Sequence, residues 1–514
     1  MTLQENNHIA LVHLPTATVI HHFPAGTVTG TGFDTAEDDV IEPTGQLVDV
    51  PREPDAIAWL GLGRLVTANE GDLFGGTRGF SIFGAGGKVL FDAGRGIESL
   101  AQSHGHYPEG RSDAKGSEPE GVTTARFEGR DLIFVGSERG NFVAVYEDGG
   151  FFGRPKFKQL LPTGIGPEGL LAIPSRGLFV TAAETDDDGP IRSQITIFRL
   201  QHRAPTYPQV VSGPRLRGPL AGQAPIGWVA LSALAADRHH PHRLFTAHDS
   251  FLQDSRLYVM DVSEKPAVIR DEILLLKDEA PVSYDIEGLV QRVGGGFWVA
   301  SEGAGSFPTV TRENLLVQVG ADGTVVEEIP LPADVASLQR NNGFEGVAVV
   351  GAGDAERVYV AFQREWTGDP ARQVRIGEYR PAQREWRFFY YPIDPVLSPT
   401  ADWVGLSEIV ALSEDRLLVL ERDNAGGPDA RNKRLYSVSI AGVAPQPQGT
   451  AFPVLAKSLA LDLLPALRAT RGWTQEKVEG VAITADRQLF VATDNDGVDD
   501  NTGETLLLRF SALP

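Results

Sequence analysis

KVEGVAITADRQLFVATDNDG, residues 477–497, reads as a strand, a turn and a second strand, with an acid at each end. Glu479 precedes the apolar run Val481-Ala-Ile483. Asp486-Arg487-Gln488 makes a polar turn, and Leu489-Phe-Val-Ala leads to Asp494. A regular antiparallel hairpin centred between Asp486 and Arg487 places Glu479 opposite Asp494, with Cβ atoms roughly 4.5–5.5 Å apart. Two carboxylates at that distance repel, and each raises the other's pKa. The spacing therefore predicts a cation between them.

The unit recurs, and a recurring unit decides the architecture. IEGLVQRVGGGFWVASEG pairs Glu287 with Glu302. FEGVAVVGAGDAERVYVAFQRE pairs Glu345 with Gln363, and VGLSEIVALSEDRLLVLERDN pairs Glu408 with Glu421. Upstream, the same reading pairs Asp55 with Glu70, Glu120 with Glu138 and Glu168 with Glu184. A weaker copy has Ala233 at the first acid position and Asp249 at the second. Eight copies thus begin near residues 55, 120, 168, 233, 287, 345, 408 and 479. Further short apolar runs lie between them: FVAVYED, QITIFRL, RLYVMDV, RIGEYRP and RLYSVSI.

Four strands per copy describe a blade, so the expected fold is all-β. It is a β-propeller of eight four-stranded blades, with seven as the fallback, in a single domain spanning residues 1–514. HIALVHL near the N-terminus is expected to close the ring with the last blade. Residues 97–119 are read as an inserted polar loop. Residues 454–471 are read as a short helical insertion interrupted by Pro465.

Composition agrees. The chain has 514 residues, 57 Gly and 34 Pro, which suits many turns. A net charge of −22 argues against nucleic acid or an anionic membrane surface as partner. With no cysteine, disulfides, thiolate nucleophiles and Cys-ligated metals are excluded. No apolar run reaches the ~18 residues a spanning helix needs. The first residues do not read as a signal peptide, so a cytoplasmic protein and a processed exported one both stay open.

In a propeller, the start of each first strand and the end of each second strand meet at one mouth of the channel. Up to fourteen acids would converge there. Glu70, Glu120, Glu138, Glu168, Glu184, Glu287, Glu302, Glu345, Glu408, Glu421, Glu479 and Asp494 are the candidate metal ligands. Ca2+ suits carboxylates in irregular geometry, with Mg2+ and Mn2+ as alternatives. A single such acid is as easily read as part of a solvated rim. The repeated pairing favours a cation site.

NNGFEGVAV, LSEIVALSEDRLLVLERDN and KVEGVAITADRQLFVATDNDGVDDNTGETLLLRF resemble the bacterial "esterase-like activity of phytase" family, over the C-terminal two thirds. LVTANEGD, GFSIF…KVLFDAG and RSDAKGSEPEGV…IFVGSERGNFVAVYE are similar to propeller domains of secreted alkaline-phosphatase-type proteins. The resemblance implies phosphoester or ester hydrolysis on a small-molecule substrate, and a periplasmic or secreted location. A monomer is expected.

Other chemistry finds little support. There is no Gly-x-Ser-x-Gly elbow, His-Glu-x-x-His or P-loop. AETDDDGPIRSQI and VATDNDGVDDNTG lack the glutamate that would end an EF-hand loop, and read as Asp-Gly turns. HHPH, residues 239–242, reads as a surface turn. His104 and His106 lie in the long insertion, with a site role only if it covers the channel mouth. His248, beside Asp249, is a general-acid candidate. Arg139, Arg364 and Arg422 adjoin second-strand acids. They either balance charge or grip phosphate oxygens. The expected function is a metal-dependent phosphoester hydrolase. The alternatives are a calcium propeller that hydrolyses lactones or organophosphate triesters, and a non-catalytic binding module stapled by calcium.

Overall fold

A computed structural model describes residues 1–186, 191–498 and 501–511. The two Asp-rich stretches fall partly outside these residues, at 187–190 and 499–500. The chain is all-β, in many small antiparallel sheets. It divides into two compact units: Met1–Val229 with Asn495–Glu504, and Ala230–Asp494 with Thr505–Pro514.

The opening hairpins of the eight copies are all present. In the first unit they are β1 (Ile57–Leu60) and β2 (Arg64–Asn69), β3 (Pro119–Phe127) and β4 (Arg130–Ser137), and β5 (Pro167–Ile173) and β6 (Leu178–Ala183). In the second unit they begin with β7 (Leu231–Ala236), β8 (Arg243–His248), β9 (Ile286–Gln291) and β10 (Phe297–Ser301). They continue with β11 (Phe344–Val350), β12 (Arg357–Phe362), β13 (Val404–Ser413), β14 (Arg416–Asp423), β15 (Val478–Ile483) and β16 (Leu489–Thr493). The intervening runs form the expected outer strands, Arg256–Asp261, Gln373–Arg380 and Lys433–Ser439 among them.

Three of the eight copies lie in the first unit and five in the second. In the second unit the first strands touch in the order β7, β9, β11, β13, β15, and β15 returns to β7. Glycine permits this closeness. A Cβ on Gly346 of β11 would lie 2.5 Å from the Glu408 Cα of β13, and one on Gly480 of β15 would lie 2.8 Å from the Leu234 Cβ of β7. Between the sheets lie apolar cores. One joins Ala233, Phe245 and Leu257 to Leu289, Phe297 and Val299; another joins Trp298 and Leu316 to Phe344, Val358 and Trp386. Each buried Leu, Val or Phe among them contributes about 1.5–3 kcal/mol.

Three local expectations change. His8–His13 pairs with Thr2–Leu3 and Thr18–Pro24, not with the last sheet, because the tight turn Leu14–Thr16 returns the chain at once. Residues 97–119 are not simply a polar loop. They contain most of the helix Gly96–His104, which buries Ile97 and Ala101. Residues 454–471 hold the strand Lys457–Asp462 before a single helical turn, Leu464–Leu467, where Pro465 stands in the first turn and forfeits no hydrogen bond.

Candidate functional site

Every copy but the first carries a β-bulge where its first strand begins. Val478 faces Thr493 and Gly480 faces Ala492, so Glu479 is the extra residue. The same place is taken by Glu120, Glu168, Ser232, Glu287, Glu345 and Ser407. A bulge re-aims its side chain and shifts the register by one. The second-strand acids therefore do not face those glutamates. The amide of Glu302 donates to the carbonyl of Asp285 at 2.8 Å, and that of Asp494 to Lys477 at 3.0 Å. The amide of Glu138 donates to Glu118 at 2.9 Å, and that of Gln363 to Gly343 at 2.8 Å. Asp285 and Glu118, missed in the sequence, are each two residues ahead of a Glu-Gly pair, which is the signal that could have found them.

In the second unit the bulges gather carboxylates. Oxygens of Asp285, Glu287 and Glu302 lie within 4.8 Å of one another. Glu287 is half-buried, and its carboxyl is pushed well up by burial, then by Glu345, Glu479, Asp285 and Glu302. Glu302 is pushed up to about 7 by burial and Asp285, against a 2.7 Å hydrogen bond from the Gly343 amide. Glu345 is buried and also pushed up, by burial, Glu302 and Glu479. Its Oε1 accepts from Gln363 Nε2 at 2.6 Å, and its Oε2 is buried without a hydrogen-bond partner among the described residues. Arg312 pairs with Asp285, and Arg422 pairs with Glu479 at 2.7 Å and with Glu476 at 2.5 Å.

Two predicted ligands of this unit go elsewhere. Glu408 does not pair with Glu421, because Ser407 occupies the bulge and Glu408 falls opposite Leu420. Its buried carboxylate accepts from its neighbour's amide, Ile409, at 2.9 Å, the amides of Leu234, Val347 and Val481 on three other first strands lie near it, and its Oε2 has no hydrogen-bond partner among the described residues. Burial nevertheless outweighs these donors and pushes its pKa well up. It lines a cavity of about 390 Å³ walled by all five first strands. Glu421 is held by Lys457 at 2.6 Å, Asn432 at 2.9 Å, the Asp394 amide at 3.0 Å and Tyr391 at 3.1 Å. Asp494 pairs with Lys477 at 3.6 Å and lies near Asp249, whose carboxyl is pushed well up by burial and by Asp494.

The first unit has its own cluster. Asp55, Glu70 and Glu120 offer oxygens within 4.8 Å, as do Glu70, Glu118 and Glu138. Glu120 is pushed up to about 9 by burial and by Glu138. Cations already enter here: Lys115 pairs with Glu70 at 2.5 Å, Arg111 with Glu118 at 2.6 Å, and Arg139 with Glu138 at 3.0 Å. Glu168 and Glu184 stand exposed beside each other, and Glu168 is pushed up by burial, then Glu184.

The singled-out histidines make local contacts. His248 is fully buried, with ring nitrogens against the carbonyls of Asp249 and Asp254, and burial lowers its pKa to about 4. With both nitrogens facing backbone carbonyls and the ring closed off from solvent, nothing here supports the general-acid expectation. His106 is spent on the Gly140 carbonyl and the Tyr207 hydroxyl. The 239–242 turn is a surface turn in which His240 packs on Asp237. Of the three arginines, Arg139 and Arg422 are paired with carboxylates. Arg364 has no carboxylate partner among the described residues and lies 5.4 Å from the ring of half-exposed Trp403, as Arg422 does at 5.2 Å.

Residues 73–150 match a choice-of-anchor I domain. This overlaps the stretch read as similar to alkaline-phosphatase-type propeller domains. No curated protein matches the chain. Among solved structures, a luciferin-regenerating enzyme is 12% identical over 67% of this chain and 90% of that one, with a TM-score of 0.30. A GH74 enzyme of Niastella koreensis is 13% identical over 53% and 47%, at 0.29, and a Lactobacillus plantarum protein 12% identical over 72% and 92%, at 0.26. Residues 226–497, more than half of the chain, match the phytase-like family model described as "Esterase-like activity of phytase", and the chain belongs to that family.

Proposed function

We propose that the second unit acts as a five-bladed propeller hydrolase on phosphoesters, with a divalent cation among Asp285, Glu287, Glu302, Glu345 and Glu479. The observation that carries this reading is the crowding itself. Burial and neighbouring carboxylates raise the pKa of Glu287, Glu302 and Glu345, and one oxygen of Glu345 is buried without a hydrogen-bond partner among the described residues. Such an all-oxygen donor set suits Ca2+ ahead of Mg2+ or Mn2+. When bound, such an ion polarises an ester or phosphoryl oxygen and makes water more acidic.

The chain's own residues supply the rest. Arg364, unspent and propped on Trp403, suits an anionic oxygen of the substrate. Arg422, committed to Glu476 and Glu479, orients the acids. Gln363 holds Glu345 in place. The family and the choice-of-anchor match support an exported protein.

The test is metal analysis of the purified protein, then assay of aryl phosphates and esters with Ca2+ or chelator, in wild type and Glu287→Gln with Glu302→Gln. The expected result is bound Ca2+ and hydrolysis that both the chelator and the double substitution abolish. Hydrolysis indifferent to both rejects the mechanism. Tightly bound Ca2+ without hydrolysis of any substrate leaves a cation that only braces the blades.

A further inference from the structure

In the second unit one residue follows the bulge that opens each first strand. These residues are Ala233, Gly288, Gly346, Glu408 and Gly480. Four carry no side chain beyond a Cβ, and the fifth carries a carboxyl. Across their hairpins Ala233, Gly288 and Gly480 face Ala247, Ala300 and Ala492, whereas Glu408 faces Leu420. A Cβ on Gly346 would lie 2.0 Å from Glu408 Oε1, so the carboxyl reaches across from β13 to β11. Its arm takes up room that the small residues leave.

Backbone donors surround it there. β7, β11, β13 and β15 are each the edge strand of their sheet, and an edge strand leaves amides without a ladder partner. Glu408 Oε1 accepts from the Ile409 amide at 2.9 Å, and the amides of Leu234, Val347 and Val481 lie near the carboxyl. The carboxyl also ends the channel. Glu408 is 1% exposed, and its Oε2 has almost no accessible surface. The cavity of about 390 Å³ is lined by Glu408 and by the next residue of each copy, Leu234, Leu289, Val347, Ile409 and Val481. None of the five clustered acids lines it. Glu287, Glu345 and Glu479 come one residue ahead of Gly288, Gly346 and Gly480. The acids precede this level and the cavity follows it, so Glu408 stands between the two.

The same contacts bear on the cluster. Val347 and Val481 are two residues beyond Glu345 and Glu479 on the same strands, so a shift of either strand carries its acid along. We propose that Glu408 is a positioning residue for the cation site: it plugs the channel behind the cluster and holds β11 and β15 at the separation that Glu345 and Glu479 need. The proposal rests on the cation reading of the cluster. An oxygen cage takes part of its Ca2+ affinity from the rigidity of its ligands, so a plug that touches no cation still sets that affinity.

Calorimetric titration of the full chain with Ca2+ tests this, at a temperature where circular dichroism shows each variant folded. Glu408→Gln keeps an acceptor and should bind within about threefold of wild type. Glu408→Ala removes the plug, and Glu408→Met fills the axis without an acceptor oxygen. Both should bind about tenfold more weakly or worse. Acetamide, a neutral acceptor of the size that Glu408→Ala vacates, should restore the affinity of that variant saturably and leave wild type unmoved. Deuterium uptake around Leu234, Val347 and Val481, followed without Ca2+, should rise in the Ala and Met variants and stay at the wild-type level in Glu408→Gln. If Glu408→Ala does not fold, Glu408→Met carries both measurements. Wild-type Ca2+ affinity in the Ala and Met variants overturns the positioning role, as does an equal loss in Glu408→Gln. Unchanged uptake in both overturns the plug. A wild type that binds no Ca2+ rejects the cation reading and the positioning role with it, and raised uptake then leaves Glu408 as a plug alone.

Discussion

Lys477 pairs with Asp494 at 3.6 Å, at the hairpin position where another copy of the unit sets Asp285 against Glu302. One copy thus answers its buried second acid with a cation from its own first strand, and the other faces it with a like charge. At Asp494 the lysine supplies one cation beside a second acid, Asp249, whose carboxyl is pushed up by burial and by Asp494. Lys477→Met is therefore expected to destabilise the protein by on the order of 1 kcal/mol near pH 7, since the lysine is partly solvent-screened. The loss should shrink at pH 3, below the ordinary carboxylate range, where carboxylates take up protons. Calorimetry at the two pH values checks this, and an equal loss at both would count against it.

Glu408 gives a sharper stability test. Its carboxylate accepts from the Ile409 amide, and the amides of Leu234, Val347 and Val481 on three other first strands lie close enough to favour its charged form. Glu408→Gln keeps an acceptor of the same shape and should cost little, because burial already favours the uncharged acid. Glu408→Ala leaves buried amides unmet and should cost on the order of 3 kcal/mol. Gly346→Ala should be costly too, because its Cβ would lie 2.4 Å from the backbone nitrogen of Ile409. Denaturant unfolding of the three variants checks the order. A Gln variant as unstable as the Ala variant would show that the charge, not the acceptor, is what the channel uses.

A third expectation concerns pH and the first unit. Burial pushes Asp34 up to about 6; burial, then Asp34's charge, pushes Glu109 up to about 8. Both folded values lie above the unfolded ones near 4, so the folded state holds these protons more tightly. Their contribution is complete below pH 4 and is lost as pH rises through 6 and then 8. Melting temperature should fall between pH 5 and pH 9 by on the order of 5 °C from this pair. Glu109→Gln keeps an acceptor for the Asp38 amide or the Ser112 hydroxyl, and should flatten the fall above pH 7. If the variant melts with the wild-type pH profile, another group is responsible.

How far the sequence could be read depends on the kind of feature. The hairpins were legible because alternating apolar runs bounded by turns leave little choice of partner, and all eight appear. The acid pairing was half legible. Glu345 does meet Gln363, and Glu287 does meet Glu302, yet both glutamates stand in bulges. Counting residues across a turn assumes an unbroken register, and one inserted residue defeats it. Glu408 shows the consequence: a shift by one turns a supposed ligand into a buried acceptor. The glycines at 288, 346 and 480 were visible next to each glutamate and are the usual mark of a bulge or a close approach. The grouping of the copies was not legible, because contacts between distant first strands leave no local pattern.

The remaining prediction separates the two clusters. Without a cation, Asp285, Glu287, Glu302, Glu345 and Glu479 face one another with Arg312 and Arg422 as the cations paired into them. A cation that binds only the folded state stabilises it by about 2.7 kcal/mol at a hundred times its dissociation constant. Chelation should thus lower the melting temperature by several degrees and abolish hydrolysis, and added Ca2+ should restore both. Glu287→Gln with Glu302→Gln reduces the repulsion, so its chelated form should melt above chelated wild type. It should gain less from Ca2+ and recover no activity. The matching change in the first unit, Glu120→Gln with Glu138→Gln, removes carboxylates from a cluster where Lys115, Arg111 and Arg139 already pair. That variant should keep the wild-type response to Ca2+ and its activity. If it loses the Ca2+ response while the 287/302 variant keeps it, the cation belongs to the first unit. If wild type melts and hydrolyses alike with and without chelator, both clusters are solvated rims and the hydrolase uses no cation.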